Sequence, residues 1–312
     1  MRILVIGATG VVGRQLVPML VDGGHEVTAT TTTVAKGGGL AAAGAEPLVM
    51  DVLDAAATEA ALVATRPEVV VYQATALSAM GANMRKFDRY FAVTNRLRTE
   101  GTANLLAAVR KIGGARVIAQ SFGASGYPPG GPPAQDERAG FDPKPPAAMA
   151  GIFAAIRRLE ELVTATPDNV VLRYGGFYGP GTTLDRHSPQ VEAIRRRRLP
   201  IVGDGGGVVS YLHVEDAATA TVAALDTGQG IYNVVDDEPA AFRDWLPHVA
   251  DVLGAGPPRH LPVWLARIVA GDAAVYLTTQ ARGGSNARAK AELGWEPSYP
   301  DWRAGFRVAL SE

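Results

Sequence analysis

Residues 3–13 read Ile3-Leu4-Val5-Ile6-Gly7-Ala8-Thr9-Gly10-Val11-Val12-Gly13. Four apolar residues stopped by a glycine have the pattern of a strand buried on both faces. Beyond the turn, Val11, Val12, Leu16, Met19 and Leu20 fall at helical spacing until Gly23-Gly24. A glycine-rich turn between a strand and a helix is the place where a dinucleotide's pyrophosphate binds. Glycine lets the backbone turn tightly and approach the phosphates, and the first helical N–H groups add positive partial charge. The spacing G-x-x-G-x-x-G is one residue longer than the usual fingerprint. Gly7, Thr9, Gly10, Val11, Val12 and Gly13 are therefore the expected cofactor-binding loop.

The next strand, Glu26–Thr31, bears on which dinucleotide is bound. An acid at its end would hold a ribose 2′-hydroxyl and repel a 2′-phosphate. This chain has Thr30, Thr31, Thr32 and Thr33, then Lys36. Hydroxyls and a cation accept a phosphate, so Thr32 and Lys36 point to NADP(H) over NAD(H), although no arginine stands there as a clamp.

Working outward, strand and helix patterns alternate. A glycine-rich turn, Gly37-Gly38-Gly39, leads to an alanine-rich helix ending at Gly44. Strands follow at Leu48–Met50, Val69–Tyr72, Val117–Ala119 and Val170–Arg173. Helices fall at 55–64, 88–111 and 148–165, and a proline-rich loop covers 126–146. This alternation predicts an α/β fold, a doubly wound parallel sheet (Rossmann) covered by helices on both faces. After Tyr178-Gly179-Pro180-Gly181 the pattern loosens. The expected division is a dinucleotide-binding domain over 1–175 and a smaller mixed substrate-binding region over 176–312, with segments free to return to the main sheet.

Composition narrows the function classes. The 312 residues carry 30 Lys plus Arg against 31 Asp plus Glu, so no basic excess suggests a nucleic-acid partner. With no cysteine, thiolate nucleophiles, disulfides and cysteine-ligated metals are excluded. The five histidines are scattered without metal spacing, so no metal site is expected. No apolar run has the length of a membrane span, and no secretory signal pattern is present, so a soluble cytoplasmic protein is expected.

Further motifs carry a resemblance. They are Asp51-Val52; Tyr72-Gln73-Ala74-Thr75-Ala76; Asn95 with Glu100-Gly101-Thr102-Ala103-Asn104-Leu105-Leu106; Leu172-Arg173-Tyr174-Gly175-Gly176-Phe177-Tyr178-Gly179-Pro180-Gly181; Val202-Gly203-Asp204-Gly205; His213-Val214-Glu215-Asp216; Tyr232-Asn233-Val234; and Glu292-Leu293-Gly294-Trp295. With the glycine loop, they resemble the extended short-chain dehydrogenase/reductase family of NAD(P)-dependent epimerases and dehydratases, over nearly the whole length. The resemblance implies that Asp51, with Val52, touches adenine. It also implies that Ala74, Thr75 and Ala76 line the nicotinamide side and that Asn95 belongs to the cofactor site. It further implies a homodimer through the helices near 88–111 and 148–165, with Phe91, Leu97, Phe153 and Ile156 as candidate facing residues.

The family's catalytic Tyr-x-x-x-Lys is absent. In the family the tyrosine transfers a proton, and the lysine lowers its pKa and holds the nicotinamide ribose. Residues 145–161 offer Met149/Phe153, Ile152/Ile156 or Phe153/Arg157, and none restores the pair. Arg157 retains a cation, but Phe153 has no proton to give. Candidate replacements are Ser121, where the family keeps a substrate-binding hydroxyl, Tyr127 in the next loop, and Tyr174 at the end of a strand. Arg195-Arg196-Arg197-Arg198 suits a helix C-terminus, or the steering of an anionic substrate. His213 and Asp216 read as a structural junction, with Asp216 capping. The expected function is an atypical NAD(P)-dependent oxidoreductase or epimerase/dehydratase-like enzyme on a small carbonyl or hydroxyl substrate. The alternatives are a non-redox isomerase, lyase or cyclase, or a non-catalytic NADP(H)-binding module.

Overall fold

A computed structural model describes residues 1–77, 87–123 and 125–311. Its centre is a seven-stranded sheet: β1 (Arg2–Ile6), β2 (Glu26–Thr31), β3 (Glu46–Val49), β4 (Val69–Tyr72), β5 (Arg116–Phe122), β6 (Val170–Tyr174) and β7 (Gly230–Val234). The order is β7-β6-β5-β4-β1-β2-β3 and every pairing is parallel. The chain reverses direction of travel between β1 and β4, the switch point at which open α/β sheets bind ligands. The predicted α/β, doubly wound class is the observed one. The seventh strand comes from sequence beyond residue 175.

Alternation along the strands loads both faces. Ile3, Val5 and Val71 pack with Leu16, Val17 and Leu20 of α1 (Val11–Asp22) and with Ala217 and Ala220 of the helix Val214–Ala223. Leu4, Ile6, Val70, Val117 and Val171 pack with α3 (Ala55–Thr65), α5 (Thr102–Lys111) and α6 (Ala147–Thr164). A separate cluster of Tyr178, Tyr211, Trp245, Trp302 and Phe306 organises the later sequence.

Two local readings are corrected. Gly37–Gly39 is not a turn but the opening of α2 (Gly37–Ala42). That helix packs on β3, and tertiary contact outweighs the low helix propensity of glycine. The pattern over 88–111 is not one regular helix. It is α4 (Phe87–Arg96), a π turn at Leu97–Gly101, and α5. Tyr72 Oη donates to the Leu97 carbonyl (2.7 Å), which also accepts the Thr102 N–H five residues on. Gly101 leaves room for that hydroxyl, since a Cβ there would lie 2.6 Å from it.

Candidate active site

The glycine loop joins β1 to α1 at the carboxyl edge of the sheet. Gly7 has φ +88°, and a Cβ there would stand 2.7 Å from the Gln73 carbonyl. Gly10 is the N-cap of α1, and no side chain caps that terminus. A Cβ on Gly13 would lie 2.4 Å from the Ala8 carbonyl oxygen, so only glycine lets α1 sit this close to the loop. The loop is a cradle walled by backbone, with helix N–H groups at its mouth, and it fits a pyrophosphate. Val12 is buried in the core beneath, whereas Thr9 and Val11 are half-buried at the rim. The Tyr178–Gly181 turn approaches from the other side, with Gly181 next to the Val11 side chain.

The other expected cofactor residues line the same edge. Thr32 and Lys36 are exposed beyond β2, and no acid stands among residues 28–33. Asp51 is exposed after β3 and its Oδ1 accepts the Leu53 N–H (2.9 Å), while Val52 is buried beneath. Ala74, Thr75 and Ala76 extend from β4, and the Ala76 N–H donates to Thr94 Oγ1 on α4 (3.1 Å). Asn95, beside Thr94, is half-buried, and its buried Oδ1 has no partner among the described residues.

The proposed proton donors are placed differently from the expectation. Ser121 and Tyr127 do not meet each other. Ser121 is buried and donates to Glu160 Oε1 on α6 (3.1 Å). Tyr127 is fully buried, donates to Asn233 Oδ1 (2.5 Å) and accepts from Arg173 Nη1 (3.0 Å). The cation beside Tyr127 is thus Arg173 of β6, not Arg157. Burial nevertheless pushes the Tyr127 phenol up, against the opposing pull of Arg173. Tyr174 is also buried, takes a hydrogen bond from Gln73 Nε2 (2.9 Å) and pairs with Thr221 Oγ1 (2.6 Å). Desolvation pushes it up to about 12, so it is a poor acid near neutral pH. Arg157 lies on the exposed face of α6 and donates to the Asp142 carbonyl (2.7 Å). Phe153 is 0% exposed, packed on Phe141 with ring centroids 5.5 Å apart. The Phe153/Arg157 pair therefore shares no open face.

Sequence reasoning missed the network that these residues belong to. Glu160 and Arg173, 5% and 3% exposed, form a two-point ion pair: Arg173 Nε to Oε1 and Nη2 to Oε2, both 2.7 Å. The Arg173 guanidinium also covers the Phe141 ring at 4.4 Å, and Glu137 Oε1 accepts the Asn233 N–H (2.7 Å). This network ties the proline-rich loop to β6, β7 and α6. Its one signal in the sequence was an arginine inside the apolar run Val170-Val171-Leu172-Arg173.

Other features settle as structure. Phe91, Leu97, Phe153 and Ile156, expected at a subunit contact, are all buried within this chain and cannot face a partner. Asp216 does not cap its own helix but accepts the Ser298 and Tyr299 N–H groups (2.8 and 3.0 Å). Arg195 and Arg196 pair with Glu192 at the end of the helix Pro189–Arg195, as the helix dipole favours. Among the described residues no cluster with metal-ligating composition occurs, and no helix is long and apolar enough to cross a membrane.

Comparison with known proteins agrees with this geometry. The model of the NAD dependent epimerase/dehydratase family matches residues 3–234. A 3-diazoavenalumate denitrifying reductase of a Streptomyces species is 43% identical over 98% of this chain and 99% of its own length. A Stigmatella aurantiaca 4-hydroxy-2-methyl-3-oxo-4-farnesyl-3,4-dihydroquinoline-1-oxide ketoreductase is 26% identical over 81% of this chain and 74% of its own. Among solved structures, Thermus thermophilus UDP-glucose 4-epimerase in complex with NAD superposes with a TM-score of 0.75 at 26% identity, covering 100% of this chain and 98% of that one. The backbone cradle, the sheet order and these matches agree: the chain belongs to the NAD-dependent epimerase/dehydratase family, as an oxidoreductase- or epimerase-like enzyme of it.

Proposed function

We propose that this protein is a nicotinamide-dependent reductase that replaces the diazo group of a small aromatic carboxylate with hydrogen. The observation that carries the reading is the composition of α6, Ala147–Thr164, which contains neither tyrosine nor lysine. A carbonyl that accepts hydride becomes an alkoxide and needs a proton from a nearby acid. A diazonium group arrives positively charged and departs as dinitrogen, so it needs no such acid. The reduced nicotinamide, when bound, would supply the hydride equivalent by which a C–H bond replaces the C–N bond and dinitrogen leaves. The chain's own residues then have three tasks. The Gly7–Gly13 loop and α1 hold the pyrophosphate, Ala74–Ala76 flank the nicotinamide, and the buried Met149, Ile152, Phe153 and Ile156 fix α6 against α4. The reductase similar at 43% identity acts, by its name, on a diazo compound that is also a carboxylate.

NADP(H) is the proposed dinucleotide, supported by the exposed Thr32 and Lys36 and by the lack of an acid after β2. A cytoplasmic homodimer is also proposed. Its contact would use the outer side of α4, where Val93 is 49% exposed, rather than the four buried residues named above. The boundary at 175/176 is proposed as a division between cores, with β7 crossing back. The test is a turnover screen of the purified protein with reduced nicotinamide, comparing ortho-diazo phenolic carboxylates with ketones and nucleotide sugars. Oxidation of the nicotinamide with the diazo compounds alone is expected. Turnover of ketones or sugars with none of the diazo compounds would reject the reading.

A further inference from the structure

The π turn leaves an unpaired charge inside the protein. Leu97 and Arg98 are both turned inward, and Arg98 is only 4% exposed. Among the described residues its Nε and Nη1 have no hydrogen-bond partner. The carboxylate that it feels is Glu160, but both oxygens of Glu160 are already committed to Arg173, and one also to Ser121. Two guanidinium groups thus share one carboxylate. A buried, unpartnered cation is expensive, and burial does not neutralise this one, whose pKa is pushed down only to about 10.

The direction of the side chain suggests what it is kept for. Long helical side chains lean toward the helix N-terminus. The Arg98 Cζ accordingly stands 5.7 Å from the ring of Phe91, two turns back. On the same face, one turn before Arg98, Thr94 holds Ala76 at the carboxyl edge of the sheet. Phe91 belongs to the same cluster as Ile152, Phe153 and Ile156 of α6, and the π turn packs on α6. Asn95, one turn above Arg98, adds a buried Oδ1 without a partner among the described residues. Unused donors and an unused acceptor therefore stand on one helix, beside the stretch of α6 that lacks tyrosine and lysine.

We propose that Arg98 supplies from the α4 side the cation that α6 lacks, donating through Nε and Nη1 to the nicotinamide ribose hydroxyls, with Asn95 Oδ1 accepting from one of them. A cis-diol offers both acceptors and donors, which matches this set. The assignment rests on the reading that the cleft binds a nicotinamide dinucleotide.

The test is titration calorimetry and thermal melting of R98M and R98K. Two probes are used: the whole dinucleotide, and an adenine-end fragment without the nicotinamide ribose. That fragment is adenosine 2′,5′-bisphosphate or AMP, whichever matches the preferred dinucleotide. For R98M, dinucleotide affinity should fall about tenfold or more, the size expected for charged hydrogen bonds. Affinity for the fragment should be unchanged, and the melting temperature equal or higher, because an unpaired charge is gone. R98K should recover part of the loss. Dinucleotide affinity within about twofold of the parent, or equal weakening of both probes with a lower melting temperature, would overturn the assignment. If R98M does not fold, R98Q carries the same comparison. Binding of neither probe by the parent protein would instead overturn the dinucleotide reading itself.

Discussion

Glu160→Gln tests whether the buried network holds the proline-rich loop. The change keeps the shape and the Ser121 hydrogen bond but removes the charge that faces Arg173 at 2.7 Å. Arg173, 3% exposed, then lacks the carboxylate that keeps its pKa raised despite burial. Arg98 loses the same charge. Breaking one side of a buried ion pair costs about 3–5 kcal/mol. At about 2 °C for each kcal/mol in a chain of this length, the melting temperature should fall by roughly 6–10 °C. Loop release has its own readout. Phe141 is buried under Arg173, so chymotrypsin should cut after it in the variant and not in the parent. In E160L/R173M the loss should be smaller than the sum of the two single losses, because an apolar pair strands no charge. A melt within about 2 °C of the parent, with unchanged resistance to chymotrypsin, would refute the network's role.

Gly10→Val places a branched side chain at the mouth of the cradle, where even a Cβ lies 3.2 Å from the Gly7 carbonyl oxygen. Dinucleotide affinity should fall more than tenfold, above ~1.4 kcal/mol by calorimetry. Thr32→Asp should turn a preference for NADP(H) into one for NAD(H), read as the ratio of the two dissociation constants, because the new carboxylate repels a 2′-phosphate. F153Y/R157K should gain no carbonyl reductase activity and should melt lower, since position 153 is 0% exposed and a phenol there buries a hydroxyl. Appearance of ketone reduction in that variant would restore the register that the structure disfavours.

The strand, glycine turn and helix at the start of the chain were legible because their signals are local. Ile3–Ile6 followed by Gly7 is a strand and a turn in adjacent residues, and the helix of Val11–Asp22 begins at the next glycine. Asp51 and Ala74–Ala76 have no local chemistry that marks them and were reached only through resemblance. The contacts of Ser121 and Tyr127 were not legible because they are distant in sequence. Tyr127 meets Asn233, 106 residues away, and Ser121 meets Glu160, 39 residues away. Helical periodicity cannot show that Glu160 sits on the buried face of α6 below Ile152 and Ile156 with a partner waiting on β6. The π turn was hidden for the same reason. The hydroxyl that meets its first carbonyl belongs to Tyr72, 25 residues upstream of Leu97.

The most direct measurement is the gas released. The purified protein, reduced nicotinamide and an ortho-diazo phenolic carboxylate labelled with heavy nitrogen are combined in a sealed vessel. Oxidised nicotinamide and labelled dinitrogen are then counted together. The account predicts one dinitrogen for each nicotinamide oxidised, with the denitrified aromatic carboxylate as product. Oxidation of nicotinamide with both nitrogens retained in the product, or dinitrogen released at the same rate without nicotinamide, would contradict it.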